Sequence, residues 1–284
     1  MIDETVRRIE ELRTQSASLV AVDAAEALRE LLDREFRSVE EFERSLERNS
    51  RTLRQANRSH APLYTTQRRL VDAVADADAD DVEEAKAALA TAIAGVVDRI
   101  ETSKAAAGEQ AAALIDDGDV ILTHENSSTV MAALERALAD GKSVELYVTE
   151  SRPRFLGRRT ARQLAGNDRV DVTLIVDSAA GHVLPECDRV LVGMNCLIDD
   201  AVYNRIGTYG IATAAADRDV PFTVVGASAK FVGDAGFTFE NSRRPPSEVL
   251  REPADGFDAA NPGYDATPLR LVDAVVTEDD VLRF

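Results

Sequence analysis

From Gly118 to about Ser228 the chain alternates short runs rich in β-branched residues with helix-forming stretches, and this alternation limits the fold more than any other feature. The runs are DVILTH, SVELYVTE, VDVTLIVD, RVLVGMN and VPFTVVGAS. Between them lie TVMAALERALADG, RRTARQLAG and IGTYGIATAAADRD, with one helix, after VDVTLIVD, too weakly periodic to place. Parallel neighbours need a crossover, usually a helix, so the pattern predicts an α/β domain with a Rossmann-like, doubly wound parallel sheet. A last run, LRLVDAVVTE, closes the chain. Ligands of such sheets sit beyond the carboxyl ends of the strands, beside the point where strand order reverses, so the strand-end residues carry the functional question.

Before Gly118 the spacing is helical: Val6, Ile9 and Leu12; Val22, Ala25 and Leu28; Val39, Phe42 and Leu46; Leu89, Ile93 and Val97. This predicts an N-terminal helical domain over 1–108 and the α/β domain over 109–284. The acidic run Asp76 to Asp81 reads as a solvated connector that caps a helix beginning near Val82. After Phe231 a long Gly- and Pro-rich stretch, through NPGYDATP, exceeds an ordinary connection and is expected to wrap the domain or cover a site.

Asp and Glu number 51 against 33 Lys and Arg, a formal charge of −18, which disfavours direct binding to nucleic acid or anionic membranes. Lys occurs only at 86, 104, 142 and 230, and such Asp-rich, Lys-poor surfaces suit a salt-rich cytoplasm; an ordinary acidic protein that favours Arg is the alternative. No run reaches the roughly 20 apolar residues that span a bilayer, and MIDETVRRIEELR reads as a charged amphipathic helix, so a cytoplasmic protein is expected. Cys187 and Cys196 read as small buried hydrophobes. His60 and His182 lack partners at ligand spacing, and no P-loop, GxSxG or GxGxxG is present, so neither metal nor cofactor is expected.

The first strand ends in His124, Glu125, Asn126, Ser127 and Ser128, where the next helix would present unpaired backbone N–H groups to an anion; helix capping by a Ser explains the same residues. The second ends in Glu150-Ser151-Arg152-Pro153, with Arg154, Arg158 and Arg159 following, a set suited to phosphate or carboxylate, or to a surface ion-pair network. The fourth ends in Gly193-Met194-Asn195, with Asn204, Arg205 and Gly207 read at the entry to the next helix.

These segments, ILTHEN (121 to 126), ESRPRFLGRRTARQLA (150 to 165), VTLIVDSAA (172 to 180), VLVGMN (190 to 195), YNRIGTYGIA (203 to 212) and NPGYDATP (261 to 268), resemble in order the family of translation initiation factor 2B alpha, beta and delta subunits. Methylthioribose-1-phosphate isomerase and ribose-1,5-bisphosphate isomerase belong to the same family. The resemblance implies a phosphate-binding set of Arg58, Asn126, Ser127, Arg152, Arg159, Asn204 and Arg205. It also implies a homodimer, with initiation factor 2 as a possible partner.

Departures from the family pattern bear on chemistry. The isomerases carry a catalytic Cys after Thr-His and a catalytic Asp ending a Gly-Ala-Asp segment; here those positions are Glu125 and Asn195. Asn carries no titratable proton. The loop CLIDDAV is one residue shorter and lacks a Gly, and Arg205 stands where the family has Lys. The leading reading from sequence is therefore a non-catalytic regulatory protein that binds a sugar phosphate or nucleotide. The alternative is an aldose–ketose isomerase acting on a sugar 1-phosphate, with Glu125 as base and Asp177 or Asp199 replacing the missing Asp.

Overall fold

The computed structural model describes residues 1–11, 17–233, 237–241, 243–252 and 255–284. Two compact units emerge: residues 1–102 with 229–240, and residues 103–228 with 241–284.

The first unit holds α1 (Ile2–Glu11), α2 (Ala17–Ala27), α3 (Val39–Ala56), α4 (Ala61–Ala75) and the start of α5 (Val82–Ala112). Its core is aliphatic: Leu28, Leu31, Leu46, Leu53, Leu63, Leu70, Leu89 and Ile93 are fully buried, with Phe42 the aromatic among them. Each such side chain contributes about 1.5–3 kcal/mol. Leu12 lies outside the described residues. Caps set the helix starts. Ser38 accepts from Glu41 N–H at α3 (3.3 Å), and Asp81 accepts from the N–H groups of Glu83 (2.9 Å) and Glu84 (3.0 Å) at α5, the role expected of that acidic run.

The second unit is built on β1 (Val120–His124), α6 (Ser128–Ala139), β2 (Val144–Thr149), α7 (Gly157–Leu164), β3 (Val170–Ile175), α8 (Ala180–Val183), β4 (Arg189–Gly193), β5 (Cys196–Ile198), β6 (Ala201–Arg205), α9 (Thr208–Asp217) and β7 (Phe222–Val225). A two-residue strand, β8 (Phe231–Val232), falls in the first unit; β9 (Tyr264–Pro268), β10 (Ala274–Val276) and β11 (Val281–Arg283) complete the chain. The main sheet runs β11-β10-β7-β4-β1-β2-β3, parallel except for β11. Strands β1, β4, β7 and β10 are buried nearly throughout, as helices on both faces require. Strand order reverses between β1 and β4, the point beside which a doubly wound sheet is expected to bind its ligand, and Glu125 and Asn195 follow those two strands.

Four features depart from the sequence expectation. The unplaced helix after β3 is a string of single turns around the four-residue α8. Asn204 and Arg205 lie on β6, which pairs antiparallel with β5 and β9, rather than at a helix entry. CLIDDAV forms a β5–β6 hairpin whose turn is Asp199–Asp200, with Asp199 at φ 50°, so Asp takes the left-handed position without a Gly. The segment read as one final strand ends at Val276, and a short antiparallel β11 follows. No helix among the described residues is long and apolar enough to cross a membrane.

Candidate functional site

Two strand-end loops and the β6–β9 pair make the site. After β1 the backbone turns through Glu125 at φ 67°, a left-handed conformation that non-glycine residues rarely adopt; after β2, Ser151 (φ 59°) and Phe155 (φ 58°) do the same. Strain of this kind clusters at binding sites.

Glu125 is buried, and its Oε2 accepts from Arg205 Nε at 3.3 Å. Its backbone carbonyl accepts from Thr160 Oγ1 at 2.7 Å, tying the β1 loop to α7. A Cβ placed on Gly193 would lie 2.4 Å from Ser127 Oγ, so Ser127 packs against the end of β4 only because that residue is glycine; the same Cβ would lie 3.9 Å from Glu125 Oε1, an ordinary contact that puts the carboxylate beside the strand end. Asn195 follows two residues later, its N–H bonded to Tyr203 O at 2.8 Å. His124 is buried. Its Nε2 lies 3.0 Å from Ile206 O and its Nδ1 2.6 Å from Thr149 Oγ1. A carbonyl only accepts, so Nε2 carries a proton.

The β2 loop is clamped by Asp177, whose two oxygens accept from the N–H groups of Ser151 and Arg152, each at 2.7 Å. Gly157 lets α7 begin against β2, since a Cβ there would meet Thr149 O at 1.8 Å. Ser151, Arg152, Pro153, Arg154 and Leu156 face a narrow hollow whose opposite side is Arg205, Ile206, Arg244 and Gly263. Arg205 stacks over Tyr264 at 4.7 Å and links this hollow to Glu125. Arg244 forms a bidentate pair with Glu248 (2.8 and 2.6 Å). That hydrogen-bonded pairing raises the Arg244 pKa and lowers that of Glu248.

On the other face of β6, Asn204 is buried and donates to Thr208 Oγ1 at 3.2 Å. Its cross-strand partner Asp265 caps α9, accepting from Gly207 N–H (2.7 Å) and Tyr209 N–H (3.2 Å). Burial pushes the Asp265 carboxyl upward in pKa, against those two hydrogen bonds and His124.

Several residues singled out from sequence are thus engaged elsewhere. Asn126 Nδ2 donates to Thr160 Oγ1 and Gln163 Oε1, both at 2.9 Å. Ser127 caps α6 through Val130 N–H at 3.4 Å. Arg158 pairs with Glu150 at 2.7 Å and stacks on Phe155 at 3.8 Å, while Arg159 is exposed on α7 and does not line the hollow. Arg58 is exposed in the turn between α3 and α4 of the first unit. As replacements for the missing Asp, Asp177 and Asp199 do not serve: the first is the backbone clamp, and the second is exposed at the hairpin tip. Arg244 and Asp265 were missed. Asp265 lies within a quoted motif, whereas Arg244 sits in a Pro-rich stretch without periodicity.

Residues 13–283 match the profile described as the Initiation factor 2 subunit family. The chain is 36% identical to a ribose 1,5-bisphosphate isomerase of Haloterrigena turkmenica, over 96% of this chain and 88% of that one. It is 32% identical to the protein of the same name from Archaeoglobus fulgidus, over 97% and 87%. The Pyrococcus horikoshii translation initiation factor eIF-2B structure superposes with a TM-score of 0.78 at 26% identity, covering 99% of this chain and 96% of that one. The chain belongs to the initiation factor 2 subunit family.

Proposed function

We propose that the protein binds a pentose phosphate at the β1–β4 crevice and isomerises it from aldose to ketose, with a ribose 1,5-bisphosphate type of substrate. The observation that carries this is the Glu125–Arg205 pair, which places a buried carboxylate at the switch point with a guanidinium that also faces a cationic hollow. The names of relatives at 36% and 32% identity favour the same activity over the non-catalytic reading that the substitutions suggested.

Isomerising a sugar 1-phosphate moves the hydrogen on C2 to C1. In this proposal Glu125 takes that hydrogen from C2 as a proton, and the electron pair left behind forms the C1–C2 double bond. The ring oxygen departs from C1 with its bonding pair and gains a proton from water. Glu125 then returns its proton to C1 while O2 loses its proton to water and becomes the ketone oxygen. Asn195, having no proton to give up, supplies an N–H donor to the oxygen on C2. Arg152 and Arg205, which both face the hollow, hold phosphate. We assign the working state as a homodimer in a salt-rich cytoplasm, to be checked by solution mass in molar KCl.

The second reading, a regulatory subunit that binds the ligand unchanged and engages initiation factor 2, draws on the Asn195 amide and on the engagement of Asp177. Incubation with ribose 1,5-bisphosphate in molar KCl separates the two. Ketose formation that falls 10²- to 10⁴-fold in Glu125→Gln is expected. Binding of the sugar phosphate with no ketose would select the regulatory reading.

A further inference from the structure

We propose that Arg154 and Arg244 form the subsite that recognises the ligand's phosphate group, with Arg154 making recognition depend on a doubly charged anion. This rests on the reading of the crevice as a sugar-phosphate site and adds the two residues that select for phosphate there.

The other cations around the hollow already have partners. Arg205 is paired with Glu125 and Arg244 with Glu248. Arg152 donates to Val249 O at 3.2 Å and lies over Phe155 at 5.3 Å. Arg154 makes no hydrogen bond or ion pair with any described residue, although it is half-buried and lines the hollow with the other three. A guanidinium drawn out of water among like charges is unfavourable unless an anion meets it. Burial first, then Arg205 and Arg244, lower the Arg154 pKa, with Glu248 and Tyr264 opposing. A phosphate monoester offers the double charge and the several oxygens that planar forks engage two at a time; a carboxylate offers one charge and two oxygens.

Arg244 is held for this task rather than left to wander. Glu248 grips it bidentately, and Asn261 Nδ2 grips Glu248 (3.1 Å) and Pro245 O (3.0 Å) in turn. Arg159 is the contrast: it is equally without a partner among the described residues, but exposed, and an exposed guanidinium is satisfied by water.

The test is calorimetric titration of the full chain with inorganic phosphate and with acetate, using wild type, Arg154→Gln, Arg154→Lys and Arg244→Gln. Wild type should bind phosphate at least about tenfold more tightly than acetate. Arg154→Gln and Arg244→Gln should each weaken phosphate by about tenfold or more, and Arg154→Lys should recover part of the loss. Without phosphate, Arg154→Gln should melt no lower than wild type, since repulsion is relieved, while losing the phosphate-induced rise in melting temperature. A wild type that binds no phosphate, acetate that binds as tightly, or an Arg154→Gln variant with undiminished phosphate affinity would overturn the assignment. Arg154-dependent phosphate binding without ketose formation would sink the isomerase reading and leave this one standing. Ketose formation with undiminished phosphate affinity in Arg154→Gln would do the reverse.

Discussion

The two ends of the parallel sheet use the same residue types in opposite ways. At the amino end Arg189 Nε donates to Asp119 Oδ2 at 2.7 Å, Asp188 accepts from Val120 N–H at 2.8 Å, and Lys142 donates to the Ala112 (2.9 Å) and Ile115 (2.6 Å) carbonyls. Every one of these charges is answered within the chain, so they fasten the fold. At the carboxyl end Arg154 is without a hydrogen-bond or ion-pair partner among the described residues, and Glu125 is held at a left-handed turn. Charge excess, and not charge itself, separates a binding edge from a structural one.

The largest test of that contrast is Glu125→Gln against Arg189→Gln. The first should remove 10²- to 10⁴-fold of turnover with little change in stability. The second should leave KM alone and cost about 1–3 kcal/mol, read by chemical denaturation, because buried Asp119 keeps the Asp116 N–H but loses its charged partner. If Arg189→Gln changed KM as strongly as it changed stability, the distinction between the ends would fail. Asp177→Ala comes next: losing both acceptors for Ser151 and Arg152 should weaken sugar-phosphate binding about tenfold, with about 1–3 kcal/mol of stability lost as well. Gly157→Ala forces α7 away from Thr149 and should cost about 1–3 kcal/mol, with a rise in KM because the hollow's wall moves.

The smallest effect belongs to the helical unit. His60 caps α4 by accepting from Leu63 N–H at 3.0 Å, and burial first, with Lys230 adding, lowers its pKa to about 4. The unfolded chain binds that proton more readily, so the contribution is complete above about 6.5 and is lost as pH falls toward 4. Replacing the ring by Asn keeps a cap without titration. His60→Asn should therefore flatten the decline in melting temperature between pH 6.5 and 4, by roughly 2 °C.

How much of this could be read beforehand depended on periodicity. The strands β1, β2, β4 and β7 and helices α6, α7 and α9 announce themselves because burial on a parallel sheet demands continuous apolar runs and crossovers demand helical spacing. Glu125 and Arg152 were legible for the same reason, since each follows such a strand. The β5–β6 hairpin was not, because strands of three and five residues joined by Asp199–Asp200 look like a polar connection. NPGYDATP reads as a loop for its Pro and Gly, yet its last five residues pair with β6. Arg244 reaches the hollow through tertiary contacts of a Pro-rich segment that has no period to betray them.

That segment has a practical meaning. Arg243 bridges to Pro262, and Arg244 N–H bonds to Asn261 O at 2.9 Å, so the excursion between them is pinched shut at its neck. Arg244 answers to the neck, whereas the crown carries the exposed Phe257. Peptide cargo spliced into the crown past Arg251 should ride along without disturbing the anion grip, which offers a place to attach a fluorescent reporter of occupancy.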